Sequence, residues 1–150
     1  MTSERLSELF EHYANDVFRL AYAYLGCIQD AEDVCQNVFL NLAQHNAELE
    51  AGKEKHWLLK CTANACKNHL RSFWRRNREE LSETIPALDE SETYIHDAVL
   101  RLAPKYRAVV HLFYFEGYSQ KEISETLHIS LTAVQTRMSR AREMLKKELL

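Results

Sequence analysis

Residues 119–142 read SQKEISETLHISLTAVQTRMSRAR. Ser119 followed three residues later by Glu122 is a capping box, in which each side chain satisfies the other's backbone N–H at a helix start. The helix it opens is short and ends near Leu127. His128, Ile129 and Ser130 make a three-residue turn, and Ser130 is placed to cap a longer helix running through Leu149. Ile123, Leu127, Ile129, Val134 and Met138 are spaced to hold the two helices at an angle, which makes the segment a helix-turn-helix. The second helix of such a unit enters the DNA major groove. Its outward positions are Thr132, Ala133, Gln135, Thr136, Ser139 and Arg140, and Arg137 and Arg142 add positive charge. Gln135 suits adenine, Arg140 suits guanine or a phosphate, and Ala133 suits a thymine methyl.

Upstream of this unit, Pro104 is well placed at the first position of another helix, which Gly117 ends. A short helix is expected near 94–102. Before it, residues 79–97 carry seven acids, no basic residue and Pro86, with no sustained periodicity until Tyr94. That composition reads as a linker over 79–93. The N-terminal part has helical periodicity. Leu6, Leu9, Phe10, Tyr13, Val17, Leu20, Ala21, Tyr24 and Leu25 recur at three- and four-residue steps over 3–25, with Ser3 as cap and Gly26 as stop. Asp30 is expected to open a second helix. Its apolar side is Ala31, Val34, Cys35, Val38, Phe39 and Leu42, and its polar side is Asp33, Gln36, Asn37, Asn41 and Gln44. A loop is expected from His45 to Glu54, then a long helix from about Lys55 to Asn77. With only 3 Gly and 2 Pro in 150 residues, too few breakers are present for the many turns of a β fold. The expectation is an all-α protein of two small helical domains, 1–78 and 94–150, joined by the acidic linker.

The net charge of −3 conceals a strong pattern. Residues 1–52 are net −7, residues 53–78 net +7, residues 79–97 net −7 and residues 98–150 net +4. Blocks of this size act on partners through local field whatever the total. On a wheel of 100° per residue, Lys60, Lys67, Arg71 and Arg78 fall within about 20° of one line, and Asn64 at about 40°. Trp57 and Trp74 flank this stripe, Arg75 lies nearby, and Leu58, Thr62, Ala65, Cys66, His69 and Phe73 collect on the opposite side. The stripe contains almost no acids, so it is not a face of paired i,i+4 charges. Cations beside indoles suit a single strand, whose phosphates meet Lys and Arg while its bases stack.

Other classes of function find little support. The seven His are scattered, no Gly-rich phosphate loop occurs, and no catalytic constellation or cofactor site is evident. Cys27, Cys35, Cys61 and Cys66 form no CxxC pair and have no His at zinc-finger spacing, so free thiols and no metal are expected. No apolar run approaches the roughly 20 residues of a membrane helix. Glu4, Arg5 and Glu8 at the N-terminus suit a helix start rather than a secretory signal, which implies a cytoplasmic protein without membrane insertion. Taken alone, these features fit a DNA-binding regulator built on the helix-turn-helix, or an adaptor that binds protein through its helical faces.

The order of the motifs narrows the choice. LFEHYANDVFRLAYAYLG, DAEDVCQNVFLNL and HWLLKCTANACKNHLRSFWRR, followed by LAPKYRAVVHLFYFEGYSQKEISETLHISLTAVQTRMSRARE, resemble regions 2 and 4 of a sigma factor of the extracytoplasmic-function group. The resemblance covers nearly the whole chain. It implies a non-catalytic transcription initiation factor whose partners are core RNA polymerase, promoter DNA and an anti-sigma factor. Asp33, Gln36 and Asn37 would then meet the coiled coil of the polymerase clamp. Lys60, Asn64, Lys67, Arg71, Trp74 and Arg75, with the loop at 45–55, would capture the melted −10 element. Thr132, Ala133, Gln135, Thr136, Arg137, Ser139 and Arg140 would read the −35 element as duplex, while the same domain touches the polymerase flap. This chain departs from the family pattern at Asn37 and Asn68, where acids are usual, at His128, where Gly is favoured, and at Thr132-Ala133, where Gly-Thr is common. His is among the residues enriched at positive φ, so the turn at 128 remains feasible.

Overall fold

The computed structural model describes residues 2–45, 49–76 and 98–149. The expected linker, the first four residues of the short helix at 94–102, Arg78 and part of the loop at 45–55 lie outside these residues. The chain divides into two compact units, Met1–Glu83 and Thr84–Leu150. Among the described residues all regular structure is helical.

The first unit is built on α1 (Ser3–Leu25), α2 (Ile28–His45) and α3 (Glu54–Arg76). Thr2, one residue before the expected Ser3, caps α1 by accepting a hydrogen bond from the Arg5 N–H at 3.2 Å. Gly26 ends α1 in the left-handed region at φ 71°, and its N–H returns to the Tyr22 carbonyl at 2.7 Å. Only two residues separate α1 from α2. The second helix starts at Ile28 rather than at Asp30, which falls in its first turn and faces the positive end of the helix dipole. The core joins Leu9, Val17 and Leu20 of α1, Val34, Val38 and Leu42 of α2, and Leu58, Leu59 and Cys66 of α3. Thr62 is buried within it and survives there because its hydroxyl donates to the Leu58 carbonyl at 2.7 Å.

Two residues assigned to the packed faces by periodicity are exposed. Phe10 is 48% exposed, its ring edge-on to Phe39 at 5.1 Å. Phe73 is 41% exposed near the end of α3. Spacing identifies the side of a helix on which a residue lies. It does not identify how far the neighbouring helices reach to cover it.

The second unit contains a helical segment at 98–100, α4 (Pro104–Val110), α5 (Gln120–Leu127) and α6 (Leu131–Leu149). Pro104 stands at the start of α4 as its missing N–H allows. Val110 leads directly into a π-helical turn, His111–Phe115, closed by the Glu116 N–H on the His111 carbonyl at 3.1 Å. Leu102, Tyr106, Val110 and Ala141 form one core cluster, with Val99 and Leu145 against it. Arg107 is buried beside that cluster. Its guanidinium donates to the carbonyls of Leu100 (3.1 Å) and Leu102 (2.8 Å), so this cation closes the end of the preceding segment and does not face solvent.

Candidate nucleic-acid interface

The turn between α5 and α6 follows the geometry that the sequence implies. Ser119 accepts from the Glu122 N–H at 3.1 Å, and Glu122 accepts from the Ser119 N–H at 3.0 Å, completing the capping box. His128 adopts φ 54° and ψ 48°, the left-handed conformation that ends α5, with its N–H on the Ser124 carbonyl. The Ile129 N–H reaches the same carbonyl at 3.2 Å, and the Ser124 hydroxyl donates to the Ile129 carbonyl at 2.6 Å. Ser130 then caps α6, accepting from the Ala133 N–H at 3.0 Å. Ile123, Leu127, Val134 and Met138 are buried between the helices, and Ile129 is half-buried. On the outer side of α6, Thr132, Gln135, Thr136, Ser139 and Arg140 are exposed, and Ala133 and Arg137 are half-buried. A rigid scaffold thus presents an open polar helix face.

In the first unit, Asn64 and Arg71 are exposed on α3, while Lys60 and Lys67 are half-buried. Trp74 and Arg75 belong to the last turn of α3, and their side chains lie outside the described residues. The approach to α3 is anchored by Glu54, which is buried. Its carboxylate accepts from the Gly52 N–H and from the Arg5 guanidinium, each at 3.0 Å. The hydrogen bond from its own backbone, opposed by desolvation and helped by Arg5 and Gly52, lowers its pKa. This anchor escapes sequence reading because its two halves are 49 residues apart.

Asp33, Gln36 and Asn37 are all exposed on α2. Leu40, 56% exposed, shares their face, an apolar residue on the side of α2 expected to be polar. Its position three residues after Asn37 and four after Gln36 is the signal that places it there. Beside this face a cleft of about 580 Å³ opens between α2 and α3, lined by Asn37 and Asn41 on one wall and Trp57, Cys61, Asn64 and Asn68 on the other. Trp57, half-buried, therefore borders the cleft as well as the basic stripe. Burial raises the pKa of the Cys61 thiol, with Lys60 opposing more weakly, so it stays protonated at neutral pH.

Comparison with known proteins matches both units. The sigma-70 region 2 family model matches residues 9–76, and the sigma-70 region 4 model matches residues 92–145. The chain is 34% identical over 152 residues to the ECF RNA polymerase sigma factor SigE of Mycolicibacterium smegmatis, covering 93% of this chain and 59% of that protein. It is 30% identical over 126 residues to the RNA polymerase sigma factor SigZ of Bacillus subtilis, covering 77% of this chain and 70% of that one. In fold it resembles the sigma factor RpoE of Bartonella quintana, solved with the anti-sigma factor NepR. The TM-score is 0.78 at 17% identity, covering 97% of each chain. The chain belongs to the sigma-70 family, among its extracytoplasmic-function members.

Proposed function

We propose that this protein is an alternative sigma factor, which binds core RNA polymerase and directs promoter-specific initiation. The observation that carries the reading is the presence, in one chain, of a basic helix stripe and of a separate exposed polar face on a helix-turn-helix. One is the α3 stripe of Lys60, Asn64, Lys67 and Arg71, suited to a single strand. The other is the α6 face around Gln135 and Arg140, suited to a major groove. The α2 face of Asp33, Gln36, Asn37 and Leu40 serves the polymerase clamp. The domain of α4 to α6 also meets the flap. Trp74 and Arg75 extend the surface for the melted −10 element, and Thr132, Ala133, Thr136, Arg137 and Ser139 complete the surface for −35 duplex. The polymerase supplies the chemistry, and this protein supplies position and strand opening in the cytoplasm. Domains 1–78 and 94–150 are the two reading heads, with 79–93 between them. An anti-sigma factor is the expected inhibitor, as in the complex of the Bartonella relative.

Run-off transcription with core polymerase on a random promoter library tests this. Enriched templates sharing two spaced elements and giving discrete transcripts are expected. DNA binding by the free chain with no transcripts from several bacterial cores overturns the proposal in favour of a helix-turn-helix regulator.

A further inference from the structure

Arg142 is a recognition-helix cation, two residues beyond Arg140. Its Nε donates to the Tyr114 hydroxyl at 3.1 Å, and its guanidinium carbon sits 5.5 Å from the centre of the Phe113 ring. The Phe113 and Tyr114 rings meet edge-on at 5.0 Å and 80°, so the guanidinium closes an aromatic corner. Both aromatics belong to the π turn His111–Phe115, whose wider winding sets where their rings emerge. Tyr114 is 59% exposed, so burial does not explain its position. The neighbouring Ala141 is buried in the cluster with Tyr106 and Val110. The apolar seam between α4 and α6 thus continues outward into a directional contact.

We infer that Arg142 is a positioning residue, not a phosphate ligand: clasped by Phe113 and Tyr114 of the π turn, it fixes the rotation of α6 about its own axis and so the aim of Gln135 and Arg140 into the groove. Val134, Met138 and Ala141 hold the buried side of α6, and the directional bond from the exposed Arg142 to Tyr114 adds an angular constraint outside that packed side. Lysine carries the same charge but lacks the planar fork and the Nε–H, and cannot reproduce the clasp. The inference rests on the proposed reading of −35 duplex by α6.

The test uses holoenzyme assembled from core polymerase and the full chain, on the promoter fragment that the wild-type holoenzyme selects from a random library. Failure to select any promoter counts against the sigma reading itself, and leaves the comparison of variants for a chain that passes it. Tyr114→Phe, Arg142→Lys and Arg142→Ala are each expected to weaken binding by up to about 10-fold, the worth of one hydrogen bond. The double variant Tyr114→Phe with Arg142→Lys falls no further than either single change. The slope of affinity against salt stays at the wild-type value, whereas Arg140→Ala lowers it by about one if that residue meets phosphate. Discrimination against single-base changes in the −35 element falls and that in the −10 element is unchanged, a pattern that a purely structural role does not produce. Wild-type affinity in Tyr114→Phe overturns the inference. So does full rescue by Arg142→Lys combined with a shallower salt slope in Arg142→Ala, which marks a phosphate contact.

Discussion

His128 shows how a single residue carries a turn against its own preference. An L-residue in the left-handed region bears a penalty of roughly 1–2 kcal/mol, which glycine escapes. Replacing His128 by Gly is therefore expected to stabilise the second unit by about 0.5–1 kcal/mol, after the extra unfolded-state entropy of glycine is allowed for. His128→Val, β-branched and ill-suited to φ 54°, is expected to destabilise it by about 1–2 kcal/mol. Urea unfolding of the two variants checks both signs. Glu54 gives a second expectation at this scale. Its folded pKa is lowered, so its contribution is present above the unfolded value and is lost as pH falls through the folded one. Glu54→Gln should flatten the acid side of the stability profile, losing stability at neutral pH while converging on the wild type as pH falls through the lowered folded pKa of Glu54. Parallel curves for the two proteins from neutral to acid pH would refute this.

At the scale of the element, capping and exposed faces carry the expectations. Ser119→Ala removes one half of a capping box and should cost about 1 kcal/mol, measured by thermal or urea unfolding. Asp33→Ala with Gln36→Ala touches only exposed positions of α2, so the fold should persist while affinity for core polymerase drops by about 1–3 kcal/mol. Unchanged core affinity in a competition assay would remove the clamp from this face. The helix-turn-helix was legible because its signals are local: a capping box, a residue enriched at positive φ and a second serine cap lie within twelve residues of one another. The π turn was not legible. Residues 111–115 read HLFYF, an apolar run in which the periods of an α-helix and a wider turn leave the same trace. Nor did spacing show that Arg142 faces Phe113 and Tyr114, because that contact spans 28 residues. Leu40 was open to reading but was hidden by its type, since an apolar residue on a polar face is easily taken as incidental. The α3 stripe was legible from the 100° geometry alone, while the half-burial of Lys60 and Lys67 depends on packing that only the fold supplies.

Across the whole molecule, the alternation of charge governs how partners are met. Two basic blocks separated by an acidic one should neutralise few phosphates at a time, so the free chain should bind promoter duplex only weakly at physiological salt, and progressively less as salt rises. Core polymerase, by holding both blocks at once, should convert this into bivalent binding that is tighter by about 10²–10⁴-fold. Fluorescence anisotropy with and without core checks it, and tight specific binding by the chain alone would refute it. The distribution of thiols and indoles has a different consequence. All four cysteines and both tryptophans fall in the first unit, Met1–Glu83, and the second unit contains neither. Cys66 is fully buried and Cys35 nearly so, with Cys27 and Cys61 half-buried. Alkylation of Cys66 therefore requires the first unit to open, and indole emission reports on that unit alone, while ellipticity sums over both. Indole emission and Cys66 alkylation thus follow the first unit while ellipticity follows both, and a difference between the two signals in one sample shows that the two units unfold separately rather than together.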